Sequence, residues 1–283
     1  MRKVISIVGP TGTGKSRLAI QLAKMINAEV INGDSVSIYK ELNIGSAKTL
    51  KNEQENINHH LIDKVSLDEN YTIFDFQRDV RYLIEKINTP IIVGGSGLYI
   101  KSALYDYKFE QQIHTDLKTI NEMIDFIQKN DPKAIIDINN PRRIESAYKQ
   151  LINGSKRSDK QNKNTPLYDI HLIYLEIDRD LLRTRLEKRL ESMLENGFIE
   201  ETKSLINYEL NIIGYRELKS YLLGECSLED AKKNIITSTM RFAKRQKTWF
   251  LNQMTPHIYN ALDDNLLIKV YEDVTKFLGE KRT

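Results

Sequence analysis

Between an apolar run at residues 4–8 and an amphipathic stretch at residues 17–26, the chain reads Gly9-Pro10-Thr11-Gly12-Thr13-Gly14-Lys15-Ser16. A G-x-x-x-x-G-K-S sequence joining a strand to a helix is a phosphate-binding loop, in which successive backbone N–H groups point at phosphate oxygens. The constraint on the fold is severe, because a strand that runs straight into a helix is the first half of a parallel βαβ unit. Lys15 is placed to neutralise terminal phosphates, Ser16 to ligate Mg²⁺, and the new helix adds the positive end of its dipole.

The remaining apolar runs agree with a parallel sheet covered on both faces, since they are continuous rather than alternating. They lie at residues 90–93 and 171–177, with a shorter run at 29–32 that we expect at the sheet edge. Helical patterns separate them. Ligands in such sheets sit beyond the carboxyl ends of the strands. Three features collect there: the phosphate loop, Gly33-Asp34-Ser35, and Gly94-Gly95-Ser96-Gly97. From residue 179 onward the pattern is nearly all helical, with breaks near Gly197, Gly214 and Gly224 and a helix start capped by Ser227. Residues 106–166 change texture. Helical spacing at 120–127 and 142–152, then a polar linker at 154–165, predict a helical insertion between two parts of one catalytic core, 1–105 and 167–283.

Of the 283 residues, 40% are hydrophobic and 29% charged, enough for a sizeable core. With a formal charge of only +3, any nucleic-acid footprint must come from local clustering. One cysteine, Cys226, excludes an internal disulfide and a cysteine zinc site and points to a reducing compartment. Met1-Arg2-Lys3 followed by the largely apolar residues 4–8 imitates a signal peptide, but Gly9 and Pro10 end the run, so it reads as the first core strand. No apolar stretch reaches the roughly 20 residues of a membrane span, and a cytoplasmic protein is expected.

Four groups of residues are candidates for chemistry. Asp34, just past a strand and on the same rim as Lys15, can accept a proton from a nucleophile near bound phosphates; a turn or magnesium-linked aspartate is the alternative. Arg241, Lys244, Arg245 and Thr248 share one helix face, with Ile236, Met240, Ala243 and Phe250 turned to a core, which suits phosphates of a nucleic acid or of a leaving group; a solvated charged face is the alternative. Arg183, Arg185, Lys188 and Arg189 form a weaker basic group that reads as a solvated face. His59-His60-Leu61-Ile62-Asp63 lacks a second ligand cluster, so it reads as loop-ordering rather than metal-binding.

Taken in order, the phosphate loop, Gly33-Asp34-Ser35-Val36-Ser37-Ile38-Tyr39, Ile44-Gly45-Ser46-Ala47-Lys48, the His59–Asp63 segment, Asp75-Phe76, Val93-Gly94-Gly95-Ser96-Gly97-Leu98-Tyr99, Ile213-Gly214-Tyr215-Arg216-Glu217 and Ala243-Lys244-Arg245-Gln246-Lys247-Thr248-Trp249-Phe250 resemble the bacterial tRNA dimethylallyltransferases. The resemblance implies a P-loop NTPase-like α/β fold and transfer of a dimethylallyl group from dimethylallyl diphosphate to the N6 amine of the adenosine 3′ of a tRNA anticodon. It implies diphosphate on Gly9 to Ser16, Mg²⁺ on Ser16 and Asp34 as general base. It also implies tRNA contacts from Asp34, Ser35, Val36, Ser37 and Ser96, from Arg142 and Arg143 in the insertion, and from Arg216, Arg241, Lys244 and Arg245. A monomer is expected. Met240 and Ser146 stand where the family commonly carries arginines, and both the insertion and residues 204–213 are short for the family. Two other functions fit the loop: a nucleotide or small-molecule kinase using ATP, and a non-catalytic nucleotide switch. The kinase lacks a strand that ends in hydrophobic residues plus aspartate, although Asp178 is close.

Overall fold

The computed structural model describes residues 1–107, 118–158 and 165–279. Six parallel strands form one sheet in the order β3-β2-β4-β1-β5-β6: β1 (Lys3–Val8), β2 (Glu29–Asn32), β3 (His59–His60), β4 (Pro90–Gly94), β5 (Asp169–Glu176) and β6 (His257–Asn260). The ten helices among the described residues are α1 (Lys15–Ile26), α2 (Ile73–Lys86), α3 (Gly97–Leu104), α4 (Ile120–Asn130), α5 (Pro141–Ile152), α6 (Arg179–Glu195), α7 (Phe198–Ser204), α8 (Tyr215–Leu222), α9 (Leu228–Gln253) and α10 (Leu266–Gly279). This is a P-loop NTPase-like α/β fold with a small helical insertion.

The strand that carries the phosphate loop lies in the middle of the sheet. β1 pairs with β4 from Ile5↔Ile91 to Val8↔Gly94 and with β5 from Lys3↔Asp169 to Val8↔Tyr174. Its continuous apolar run follows from burial on both faces. One face packs Leu18, Leu22 and Ala23 of α1 and Val270, Val274 and Phe277 of α10 against the strands. A second core joins Leu182, Leu186 and Leu190 of α6 to Phe198, Tyr215, Leu218 and Ile235 of α7, α8 and α9. Helix boundaries follow local chemistry. Thr72 caps α2 in a capping box with Asp75, Ser227 Oγ accepts from Asp230 N at the start of α9, and Gly197 and Gly214 begin α7 and α8 at positive φ.

Two sequence expectations need correction. Residues 29–32 are not the sheet edge, because His59 and His60 pair outside them with Val30 and Ile31. A two-residue strand is too short to carry a periodic signal. The chain after residue 179 also contains a strand: β6 pairs with β5 from Ile173↔His257 to Glu176↔Asn260. β6 is an exposed edge of four residues with no apolar run, so its sequence resembles a loop. The histidine pair orders this edge of the sheet at β3: His59 Nδ1 lies 2.9 Å from Ile57 O, and His60 Nε2 lies 2.7 Å from Glu29 Oε2.

The chain divides into two compact units, Met1–Leu104 with Leu167–Thr283, and Tyr105–Pro166. The smaller unit has its own core, where Met123 and Ile127 of α4 meet Ile144, Ala147 and Tyr148 of α5. The expected polar linker lies outside the described residues at positions 159–164. No helix among the described residues is long and apolar enough to cross a membrane.

His171 on β5 adds a pH dependence to this core. Its ring is 6% exposed and stacks between His257 and Phe277 at 4.6 and 5.2 Å, with Nε2 lacking any hydrogen-bond partner. Burial, helped by the adjacent His257, pushes its pKa from 6.5 down to about 4, against the pull of Asp273 and Asp169. Between these values the unfolded chain binds a proton that the folded chain excludes, so stability falls as pH drops through this window. Denaturant unfolding at pH 7 and at about pH 4.5 should show a loss from this residue of about 2 kcal/mol. In His171→Leu the acid-induced loss should shrink by that amount.

Candidate active site

Because every strand is parallel, the segments that follow β1, β2 and β4 emerge on one rim of the sheet. The phosphate loop turns into α1 at Gly14, whose φ of 88° and ψ of 16° place it in the left-handed region that glycine tolerates. No side chain caps α1, and its first turn carries no acid. The first-turn N–H groups and the dipole are thereby left for an anion. Thr13 Oγ1 and Lys15 Nζ both donate to Pro10 O, at 2.8 and 2.6 Å, which closes the loop on itself. Burial, opposed by the Asp34 charge and helped by that of Arg189, lowers the Lys15 pKa from 10.5 to about 8. A polyanion beside this amine would stabilise its charged form.

The loops after β2 and β4 touch through bare backbone. Gly33 N donates to Val93 O at 2.7 Å and Ser96 N to Gly33 O at 3.4 Å. A Cβ on Gly94 would collide with the Gly33 backbone, so close approach explains this glycine. Ser96 Oγ accepts from Ser35 N at 3.1 Å and lies 3.2 Å from Ser35 Oγ. Asp34 is fixed by its neighbours: its N–H donates to Asn32 Oδ1 at 3.0 Å, its C=O accepts from Asn32 Nδ2 at 2.9 Å, and its Oδ1 accepts from Val36 N at 2.9 Å. That last bond occupies one carboxylate oxygen with a backbone donor. Oδ2 is the oxygen suited to receive a proton.

Two cavities meet at this point. One, about 660 Å³, is lined by the phosphate loop, Ser16, Ser37, Lys48 and Ile62. The other, about 470 Å³, is lined by Ser35, Val36, Ser96, Arg216, Arg245 and an apolar wall that includes Leu186, Ile235 and Phe242. Thr11, Lys15, Asp34, Ser46 and Arg189 line both. A phosphate-binding region and a largely apolar pocket thus open on the same carboxylate and the same two cations.

Arg189 corrects the expectation that its cluster is only a solvated face. Its Nη1 donates to Thr11 Oγ1 at 3.1 Å, and Arg185 Nη1 donates to Gly12 O at 3.4 Å. Burial holds the Arg189 pKa below its ordinary value, and the Asp34 charge opposes that shift. The signal available in the sequence was the spacing of Leu182, Leu186 and Leu190, which turns Arg185 and Arg189 toward the loop beside a buried stripe. Arg183 pairs with Glu187 on the helix surface at 3.0 Å.

The other sequence-selected residues are distributed unevenly. Arg216 lines the 470 Å³ cavity and is engaged by Asn211 Oδ1 at 3.0 Å and by the buried Glu217 carboxylate. Arg245 lines the same cavity and lies over the Phe242 ring at 5.7 Å. Arg241 and Lys244 are exposed on α9 and line neither cavity. Gln246, on the buried side of α9, donates to Gly95 O at 2.8 Å and ties this helix to the glycine-rich loop. Arg142 and Arg143 are exposed on α5 in the smaller unit, where Asn140 caps the helix ahead of Pro141. Asp178 caps α6, its Oδ1 accepting from Asp180 N and Leu181 N at 2.8 and 3.1 Å. No group of three or more histidine, cysteine or acidic residues among the described residues could hold a metal ion.

The sequence model of the IPP transferase family matches residues 37–253. The chain is 62% identical over 279 residues to the tRNA dimethylallyltransferase of Acholeplasma laidlawii, covering 99% of this chain and 100% of that one. The tRNA dimethylallyltransferase of Enterococcus faecalis is 37% identical over 308 residues, with all of both chains covered. Among solved structures, the tRNA isopentenylpyrophosphate transferase of Staphylococcus epidermidis superimposes with a TM-score of 0.75 at 31% identity, covering 99% of this chain and 100% of that one. A eukaryotic dimethylallyltransferase acting on tRNA gives a TM-score of 0.86 at 27% identity, covering 100% and 81%. On the family match, the extent of these alignments and the shared fold, this chain belongs to the IPP transferase family.

Proposed function

We propose that the protein transfers a dimethylallyl group from dimethylallyl diphosphate to the N6 amine of the adenosine immediately 3′ of the anticodon in tRNA. The observation that carries this reading is the junction of two cavities at Lys15, Asp34 and Arg189. The names of the relatives, all enzymes that prenylate tRNA, support the same chemistry. Diphosphate sits on Gly9 to Ser16, and the target base, extruded from the anticodon loop, enters the apolar cavity beside Ser35, Val36 and Ser96. Ser37 faces the phosphate side of the junction.

The amine nitrogen attacks the allylic C1 as the C1–oxygen bond breaks. Asp34 Oδ2 takes the proton that nitrogen releases, and the departing diphosphate keeps the bonding electrons. Lys15, Arg189 and the α1 N-terminus meet that charge as it develops, in a partly desolvated site where each is worth more than in water. Ser16 would hold Mg²⁺ together with diphosphate oxygens and water, an arrangement that fits its hydroxyl in the first turn of α1. The bound ion would neutralise charge on the leaving group.

Arg245 and Arg216 contact RNA at the cavity mouth. Arg241 and Lys244 extend this positive face along α9, and Arg142 and Arg143 supply contacts from the insertion. The protein acts as a cytoplasmic monomer. A kinase is disfavoured because the named relatives are tRNA dimethylallyl- and isopentenyltransferases and because Asp178, the acid that the sequence offered for such a site, caps α6.

Incubation with unmodified tRNA, Mg²⁺ and labelled dimethylallyl diphosphate or labelled ATP, followed by nucleoside mass spectrometry, tests the reading. One five-carbon unit gained on adenosine is expected. Phosphate transfer from ATP without prenylation would replace it with a kinase. Asp34→Ala should lower kcat by about 10²-fold or more while pyrophosphate affinity stays within about 3-fold. Arg189→Ala should lower both kcat and pyrophosphate affinity, kcat by about 10²-fold, since it faces the leaving group. For Arg245→Ala, the slope of log K against log salt for tRNA binding should become shallower by about one charge equivalent. An unchanged slope would take Arg245 off the RNA surface.

A further inference from the structure

Two of the motifs noted in the sequence, Ile44-Gly45-Ser46-Ala47-Lys48 and Ile213-Gly214-Tyr215-Arg216-Glu217, meet on one carboxylate that neither contains. Glu201 of α7 accepts hydrogen bonds through Oε2 from Asn43 N at 3.1 Å and Ile44 N at 2.8 Å. Through Oε1 it accepts from Gly45 N at 2.9 Å and from Tyr215 OH at 2.6 Å. Four donors fill the acceptor sites that a carboxylate offers. The aromatic rings behind this loop leave no room for adjustment, because a Cβ on Gly45 would overlap both Phe198 and Tyr215. Those two rings meet edge to face at 5.1 Å. The Tyr215 phenol is held protonated by burial and by the carboxylate it faces, and so remains a donor.

The next residues of the chain give this clamp its consequence. Ser46 Oγ donates to Leu42 O at 2.6 Å and Ser46 lines both cavities, while Gly45 lines the 470 Å³ cavity. Lys48, buried two residues on, donates to Tyr39 O and Lys40 O at 3.0 and 3.1 Å and pairs with Asp63. The segment is anchored at both ends, and Ser46 lies where the two cavities meet.

We propose that Glu201 is a positioning residue for group transfer: with Tyr215 it fixes the backbone of residues 43–45, and through that the wall at Ser46 shared by the two cavities. This rests on the prenyl-transfer reading above. Glu201 touches neither substrate. It acts by holding the distance between the amine and C1, where a displacement of about 1 Å costs about 10²-fold in rate. Substrate affinities depend on the phosphate loop and the basic residues, so they are untouched.

Glu201→Gln replaces one accepting oxygen with an NH₂ that opposes two of the four donors. Three quantities are read on the same samples: pyrophosphate-binding stoichiometry with Mg²⁺, prenyl transfer per binding-competent site, and hydrogen exchange of the amides of residues 44 and 45. We expect exchange to quicken and kcat per site to fall by about 10-fold or more, with both KM values within about 3-fold. Tyr215→Phe keeps the ring and removes one bond; the expected loss in kcat is about 3-fold to 10-fold. It serves as the test if Glu201→Gln does not fold. Unchanged exchange, or faster exchange with unchanged kcat per site, would overturn the assignment. A wild-type protein that binds pyrophosphate but transfers no allyl group would instead overturn the underlying reaction, and the positioning role with it.

Discussion

Asp34, Lys15 and Arg189 line both cavities, and the charge of the Asp34 carboxylate acting on those two cations is the interaction on which the rest of the site depends. Burial works against both cations, lowering each pKa, and Asp34 is the group whose charge opposes the shift in each case. Lys15 and Arg189 keep their places through Pro10 O and Thr11 Oγ1, and Asp34 is their charge partner. The fold supplies the partner from three separate segments: the loop after β1, the loop after β2 and the second half of α6. A parallel sheet with β1 at its centre is what allows them to converge, because the first two leave the same rim and α6 begins just past the end of β5 on that rim.

Around this group of charges, the protein separates anion binding from acceptor binding by packing. The phosphate side rests mainly on local chemistry, glycine backbone, an uncapped helix start and Lys15, to which α6 adds Arg189. The walls of the second cavity are shaped by long-range contacts. Gln246 of α9 bonds the glycine-rich loop, Ser96 bonds Ser35, and the Glu201 carboxylate gathers residues 43–45. The exposed arginines of α9 are thereby carried on a helix whose opposite side is locked to the catalytic rim. In the proposed reaction, that linkage lets phosphate contacts with RNA place one nucleotide at Asp34 with little loss of precision.

The sequence made the local parts readable and the convergent parts less so. The phosphate loop, the continuous strands at residues 90–93 and 171–177, and the capping serine at 227 have signals contained within a few residues, and the structure places them as read. β3 and β6 escape a sequence reading because two and four residues at an exposed edge carry neither an apolar run nor enough length for a period. Arg189 escapes it for a different reason. A basic residue beside other basic residues on a helix reads as surface, and only the packing of Leu182, Leu186 and Leu190 shows that it turns toward Thr11. The roles of Glu201 and Gln246 have no local signal at all, since each is defined by partners about 150 residues away in sequence.

The measurement that bears most directly on the account is titration of pyrophosphate with Mg²⁺ into the protein saturated with an unmodified anticodon stem-loop RNA. If two cavities meet at Asp34 without overlapping, pyrophosphate binds the RNA-loaded protein at one equivalent per chain, and the RNA stays bound. If pyrophosphate and RNA displace each other, they share one cavity, and the arrangement of leaving group and acceptor on opposite sides of Asp34 is wrong.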